Sequence, residues 1–314
     1  MTDVIAAMRV LDAAALRARI DIPRAASALQ DALRAGFDPD DDPPRSIVDV
    51  RHGQLLLMPA DLGRYAGQKL ATVAPANPGR GLERIQAVYI VLDAEALAPV
   101  ALLDGTELTS LRTPAMSAAM VDLVAEPDAA SLVVFGTGPQ GVRHVEAMRA
   151  IRPVERVRFV GRDPERAERA VAAVAASGLD VAVGTARDVA DADLVVCATT
   201  AREPLFDATL VGDRAALVAV GSHERDAREL PGALLGRAQV IVETDRVSRT
   251  EAGDVIMAVD EGHLAPGDVV PMARIATGEV AVARDRPRVV KTCGMGWQDL
   301  AVAAAAIEHE ETNA

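Results

Sequence analysis

Near the start of the chain apolar residues recur at helical spacing, at Leu11, Ala15, Leu16 and Ile20 and again at Ala25, Ala28, Leu29 and Leu33. This pattern predicts helix over residues 9–35, restarted at Pro23. The stretch DPDDDPPRS that follows reads as a loop with a solvated acid run, because neither Pro43 nor Pro44 can donate to a helix or ladder. From Ile47 to about Leu103 the period changes. SIVDVRHGQLLLMPA reads as two strands around a turn at His52-Gly53, QKLATVAP and IQAVYIVLDA as further strands, and ALLDGTEL as a strand end, a turn at Asp104-Gly105 and a helix start. A helix is predicted to begin with Thr113 as N-cap and Pro114 in its first position, and to end before Glu126-Pro127. Beyond Ser131, fully apolar segments (LVVF, VRFV, DVAV, LVVCAT, ALVAVG, VIVE) alternate with amphipathic helical ones such as GVRHVEAMRAI and PERAERAVAAVAA. That alternation predicts a parallel sheet covered on both faces. The last segment, GMGWQDLAVAAAAIEHE, reads as a helix that returns to the first domain.

With 314 residues the chain is long enough for two domains. Its formal charge of −13 and seven aromatic residues (four Phe, two Tyr, Trp297) argue against a nucleic-acid partner, which is held by basic surface and base stacking. An anionic ligand has to be held by focused groups instead. Cys197 and Cys293 form no CxxC or Cys/His cluster, so no metal site is expected. No apolar run is long enough to span a membrane and no signal-peptide core is visible, so the cytoplasm is the expected location. One count changes the picture. Of 33 basic residues only Lys69 and Lys291 are lysine, and the other 31 are arginine. A chain that prefers Arg keeps Lys where a compact cation, able to release its proton, is needed.

Candidate chemistry begins at SLVVFGTGPQGVRHVEAMRA, where Gly136, Gly138 and Gly141 stand in GxGxxG spacing between an apolar strand and a helix. The three glycines would serve the tight turn, the approach of backbone to a pyrophosphate, and close helix–strand packing. The helix opening at Pro139 and Gln140 would offer its free N–H groups to the phosphates. At the end of the second strand, FVGRDPERAER puts Gly161 and Arg162 where an acid would bind the ribose of NAD. Arg162 can pair with a 2′-phosphate, so NADP(H) is favoured. Asp163 keeps NAD(H) open as a ribose ligand in shifted register, or it simply caps the next helix.

Outside the fingerprint, LLLMPA, QKLATVAPANPGRGL, ALLDGTELTSLRTPAMSA, GTGPQG, ATTAREPLF, VGSHERDAREL, EAGD and VVKTCGMGWQDLA occur in this order. Together they resemble the ornithine cyclodeaminase/mu-crystallin family over about residues 43–305. The resemblance implies a Rossmann dinucleotide-binding domain (113–289) inserted in an α+β substrate-binding and dimerisation domain (1–112 with 290–314), and a homodimer. It also implies that Arg45, Lys69 and Arg112 gather around a substrate carboxylate beside Met58, the methionine of the family's LMP motif. Thr113, Thr199, Thr200, Val220, Gly221 and Ser222 join the fingerprint as cofactor-binding positions. True ornithine cyclodeaminases have an aspartate where this chain has His223, and Asp226 could stand in only if its loop folded back. The expected activity is therefore reduction of a small cyclic ketimine, such as Δ1-pyrroline-2-carboxylate or Δ1-piperideine-2-carboxylate, with Lys69 or His223 keeping the imine nitrogen protonated. Ornithine cyclodeamination, alanine dehydrogenation and a non-catalytic, crystallin-like binding role are the alternatives.

Overall fold

The structure is a computed structural model and describes residues 4–176 and 178–313. The first half of the chain runs α1 (Val4–Ala7), β1 (Arg9–Leu11), α2 (Ala13–Arg19), α3 (Ile22–Arg34), β2 (Ser46–Val50), β3 (Gly53–Asp61), β4 (Tyr65–Val73), β5 (Ile85–Asp93), β6 (Pro99–Asp104) and α4 (Gly105–Val124). It continues as β7 (Ser131–Phe135), α5 (Pro139–Ile151), β8 (Arg156–Val160), α6 (Pro164–Ala175), β9 (Asp180–Val183), β10 (Leu194–Cys197), β11 (Ala216–Ala219), α7 (Gly232–Leu235) and β12 (Gln239–Val242). It closes with α8 (Asp245–Thr250), α9 (Gly253–Asp260), β13 (Val269–Pro271), α10 (Met272–Ala276), β14 (Arg288–Lys291) and α11 (Gly296–Asn313).

The chain divides into two compact units: Met1–Arg112 with Gly294–Ala314, and Thr113–Cys293. Unit 1 is built on a six-stranded sheet in the order β1-β6-β5-β4-β3-β2, antiparallel except for the β1–β6 pair. Helix α11 packs on β3, β4 and β5 and against α2 and α3, so one face of the sheet is covered. Met58, Lys69, Tyr89 and Leu103 stand in line across β3 to β6 on that covered face. The strand pattern of the sequence is present here, but Arg9–Leu11, expected as helix, pairs with Ala101–Leu103. The free edge of β6 recruits that backbone, and edge pairing outweighs local helical spacing. The acid run is not wholly solvated either. Asp42 is buried and accepts the backbone N–H of Trp297 at 3.2 Å, satisfying a first-turn donor of α11.

Unit 2 is an eight-stranded, wholly parallel sheet in the order β13-β12-β14-β11-β10-β7-β8-β9. Its central strands β7, β10, β11, β12 and β14 are buried along their whole length, as expected for strands covered on both faces. β14 slots between β11 and β12. The unit therefore ends at Cys293, four residues beyond the boundary expected at 289, because Arg288–Lys291 complete the sheet.

Thr113 is not an N-cap. Helix α4 starts at Gly105 and passes through Pro114 without ending. A proline inside a helix costs about 3 kcal/mol through its missing N–H and its clash with the carbonyl four residues back. Burial outweighs this, because Leu108, Leu111, Ala115, Met116, Ala118, Ala119, Met120 and Val121 all lie within the core. Among the described residues no helix is long and apolar enough to cross a membrane, and no group of three or more His, Cys, Asp or Glu is placed to hold a metal.

Candidate active site

Unit 1 brings Arg45, Lys69 and Arg112 together around a residue that the sequence pattern did not reveal, Asp299 in the first turn of α11. Lys69 Nζ donates to Asp299 Oδ1 at 3.0 Å and Oδ2 at 3.2 Å, and Arg112 Nε reaches Oδ1 at 3.3 Å. Arg112 Nη1 also donates to Gln298 Oε1 at 3.0 Å. Arg45, just before β2, donates to the carbonyl of Gly294 at 2.5 Å. Gly294 is in the left-handed region at φ +84°, and a Cβ there would lie 2.7 Å from Arg112 Nη1, so glycine lets the guanidinium lie against the backbone. Met58 is buried and stands directly across the β3–β4 ladder from Lys69.

The electrostatics of this cluster follow from burial. Lys69 is 3% exposed. Burial is the main force that lowers its pKa from 10.5 to about 8, with Arg112 and Arg45 pushing the same way and Asp299 opposing them. The ammonium is thus held, but loosely enough to exchange a proton near neutrality. Tyr89, across the β4–β5 ladder from Lys69, is fully buried, and its hydroxyl makes no hydrogen bond among the described residues. Burial, then Asp299 and Asp42, push its pKa well up, so it stays a neutral phenol. Three cations against the buried carboxylates of Asp299 and Asp42 leave an excess of positive charge around the buried Lys69, and a guanidinium fork of this kind can bind a carboxylate.

Unit 2 presents the fingerprint. Gly136 has φ +114°, and a Cβ on it would lie 2.3 Å from the carbonyl of Ala198. A Cβ on Gly141 would lie 2.0 Å from the Gly136 carbonyl, so helix α5 crosses β7 closely only as glycine. A Cβ on Gly138 would meet nothing within 4 Å, so open space lies there at the N-cap of α5. Glycine turn, open cradle and free helix N-terminus together fit a pyrophosphate. Pro139 opens the helix. The Gln140 side-chain oxygen makes no hydrogen bond among the described residues, while its carbonyl accepts from His144 Nδ1 at 2.7 Å. His144 is fully buried, and burial lowers its pKa to about 4, so it is a neutral core residue that also bonds Ser117.

The remaining expected positions are placed as follows. Gly161 packs on Thr137, where a Cβ would lie 2.7 Å from Cγ2. Arg162 is exposed. Asp163 caps α6, its Oδ1 accepting from Arg166 N at 3.2 Å, and its side chain is exposed. Thr199 and Gly221 follow β10 and β11 and both donate to Glu229; Thr200 is exposed, and Val220 N bonds the carbonyl of Cys197. The carbonyl of Ser222 accepts from Lys291 Nζ at 2.7 Å. His223 is exposed in the loop after β11. Asp226 does not fold back to take its place: it is an exposed partner of Arg202 at 2.6 Å. Thr113 lies inside α4, its carbonyl accepting from Ser117 Oγ at 3.3 Å. Both lysines of the chain are buried and ion-paired with aspartate, Lys69 with Asp299 and Lys291 with Asp254.

The sequence profile of the "Ornithine cyclodeaminase/mu-crystallin family" matches residues 8–313. The chain belongs to this family. Among its relatives, the Δ1-pyrroline-2-carboxylate reductase 1 of Burkholderia multivorans is 31% identical over 95% of this chain and 94% of that protein. Two solved structures superimpose with a TM-score of 0.90. One is the Thermococcus litoralis Δ1-pyrroline-2-carboxylate reductase in complex with NADH and L-proline, 25% identical over 98% of each chain. The other is an archaeal alanine dehydrogenase dimer with bound NAD, 25% identical over 98% of this chain and 97% of that one. Asp299, Gln298 and Glu229 were missed in the sequence reading. For Asp299 the available signal was a carboxylate at the start of an otherwise apolar helix, GWQDLAVAAAA, whose first turn is expected to be buried.

Proposed function

We propose that this chain reduces a small α-imino acid, foremost a cyclic ketimine of the Δ1-pyrroline-2-carboxylate type, with a nicotinamide dinucleotide as hydride donor. The observation that carries this reading is the buried Lys69–Asp299–Arg112 cluster, which joins carboxylate-binding cations to a lysine able to give up a proton. The relatives named Δ1-pyrroline-2-carboxylate reductase support it. Arg112 and Arg45 hold the substrate carboxylate, Arg112 through its planar fork. Met58 and the β3–β4 ladder pack beside the ring. Lys69, as the ammonium, donates a proton toward the imine nitrogen, which raises the electrophilicity of its carbon. Asp299 keeps Lys69 oriented and partly charged despite burial. The cofactor, when bound, supplies the hydride; Gly136, Gly138 and Gly141 admit its pyrophosphate to the N-terminus of α5. His223, exposed in the loop after β11, is not assigned the proton in this scheme.

NADP(H) is the favoured cofactor, because Gly161 and the exposed Arg162 follow β8 where an acid would meet the ribose of NAD, and Arg162 can pair with a 2′-phosphate. A homodimer is supported by the uncovered face of the unit 1 sheet, where Val10, Val48, Val50 and Val88 are exposed, and by the dimeric alanine dehydrogenase neighbour. The two cysteines form no disulfide among the described residues, which fits the cytoplasm.

The test is stoichiometry. On Δ1-pyrroline-2-carboxylate, one reduced cofactor is expected to disappear per proline formed. Ammonia release from ornithine at ~1 per second or faster, ordinary for an enzyme, without net cofactor turnover, would overturn the proposal in favour of cyclodeamination.

A further inference from the structure

Unit 2 contains a second buried charge cluster, which the substrate chemistry above does not use. Glu229 and Asp254 are fully buried and Lys291 is 1% exposed. One carboxylate of this cluster ties two strand ends together. Glu229 Oε1 accepts from Thr199 N at 2.7 Å and Thr199 Oγ1 at 2.8 Å, just beyond β10. Its Oε2 accepts from Gly221 N at 2.8 Å, just beyond β11. Glu229 is itself fixed by Asp254, whose Oδ1 accepts from Glu229 N at 2.7 Å and Leu230 N at 2.8 Å. Lys291 Nζ completes the cluster, 3.1 Å from Asp254 Oδ2 and 2.7 Å from the carbonyl of Ser222. Burial disfavours the charge on Lys291, yet Asp254, ahead of Cys293 and Glu229, holds its pKa above the ordinary lysine value. Gly221 has to be glycine here, because a Cβ would lie 2.1 Å from the Thr199 carbonyl and 2.5 Å from Glu229 Oε1.

The order of the sheet says what these strand ends are for. From β7 the chain moves outward through β8 and β9 on one side, then returns to β10 and β11 on the other. Dinucleotides bind across such a reversal, beyond the carboxyl ends of the strands. The fingerprint at β7 takes the pyrophosphate, the end of β8 takes the adenosine ribose, and the ends of β10 and β11 are left for the nicotinamide half.

We infer that Glu229 is a positioning residue for the nicotinamide half of the cofactor, acting through the Thr199 and Gly221 amides, with Lys291 fixing the neighbouring Ser222 carbonyl. Being fully buried, Glu229 sets where those backbone groups stand rather than touching the ligand. This rests on the reading that unit 2 binds a nicotinamide dinucleotide. Two variants separate geometry from charge. Glu229→Gln keeps the span but turns an N–H toward Gly221 N–H, and it removes one of the buried negative charges. Glu229→Asp keeps the charge but is a methylene too short to hold both strands.

Calorimetric titration of wild type and both variants with NADH and with ADP-ribose, which lacks the nicotinamide, reads the effect. The expected result is NADH affinity lowered about tenfold or more in each folded variant, with ADP-ribose affinity within about twofold of wild type. Unchanged NADH affinity in either variant overturns the inference. Equal losses for the two probes also overturn it, since they mark a general scaffold role. Wild type that binds neither probe, nor NADPH and 2′-phospho-ADP-ribose in the same titration, removes the dinucleotide reading, and this inference with it.

Discussion

Replacing Lys69 by arginine separates two jobs that one ammonium performs. In the folded protein the Lys69 pKa falls from 10.5 to about 8, so the site disfavours its charged form by roughly 3 kcal/mol. Near pH 7 the ammonium is still the main form and can donate a proton; by pH 9 only about a tenth remains charged. The sign follows: kcat/KM for imine reduction should fall as pH rises through about 8, and the reverse oxidation of proline should rise over the same window. Arginine keeps the positive charge facing Asp299, and so keeps carboxylate binding, but it does not release its proton and its planar fork is larger. Lys69→Arg should therefore fold and bind cofactor as wild type does, yet lose on the order of 10²-fold or more in kcat. Its pH profile should lack the limb near 8. The assay is steady-state consumption of reduced cofactor on Δ1-pyrroline-2-carboxylate across pH, beside a cofactor titration. A variant within a few-fold of wild type, or one that keeps the limb, would refute the proton role and leave Lys69 as a charge alone.

Asp299→Asn removes the carboxylate that raises the Lys69 pKa, so the basic limb of kcat/KM should move below about 8, and thermal or urea unfolding should show a loss of up to roughly 3–5 kcal/mol from two stranded cations. An unmoved limb would mean that another group sets it. Gly141→Ala places a Cβ 2.0 Å from the Gly136 carbonyl, and forcing the backbone apart should cost roughly 1–3 kcal/mol, with cofactor affinity falling at least about tenfold by fluorescence titration. NADPH should bind more tightly than NADH in the same titration, and Arg162→Ala should erase the difference; tighter NADH in wild type would return Asp163 to the ribose despite its capping bond to Arg166 N.

Much of this architecture was legible along the chain because it depends on near neighbours. The GxGxxG turn, the apolar strands from LVVF to VIVE and the two amphipathic helices between them are written in consecutive residues, and the strands and helices formed where that pattern put them. The scarcity of lysine also carried information, since Lys69 and Lys291 are both buried against an aspartate. Four features were decided only when distant segments met. Arg9–Leu11 became strand because β6 offered an unpaired edge, and α4 ran on through Pro114 because its neighbours bury around it. β14 entered the sheet between β11 and β12, far from its place in the chain order. The partners of the buried charges lie at long range: Asp299 is 230 residues from Lys69, and Glu229 is 30 from Thr199. A residue's type states what it can bond, whereas its burial, and with it the pKa of a lysine, depends on which remote groups displace water around it.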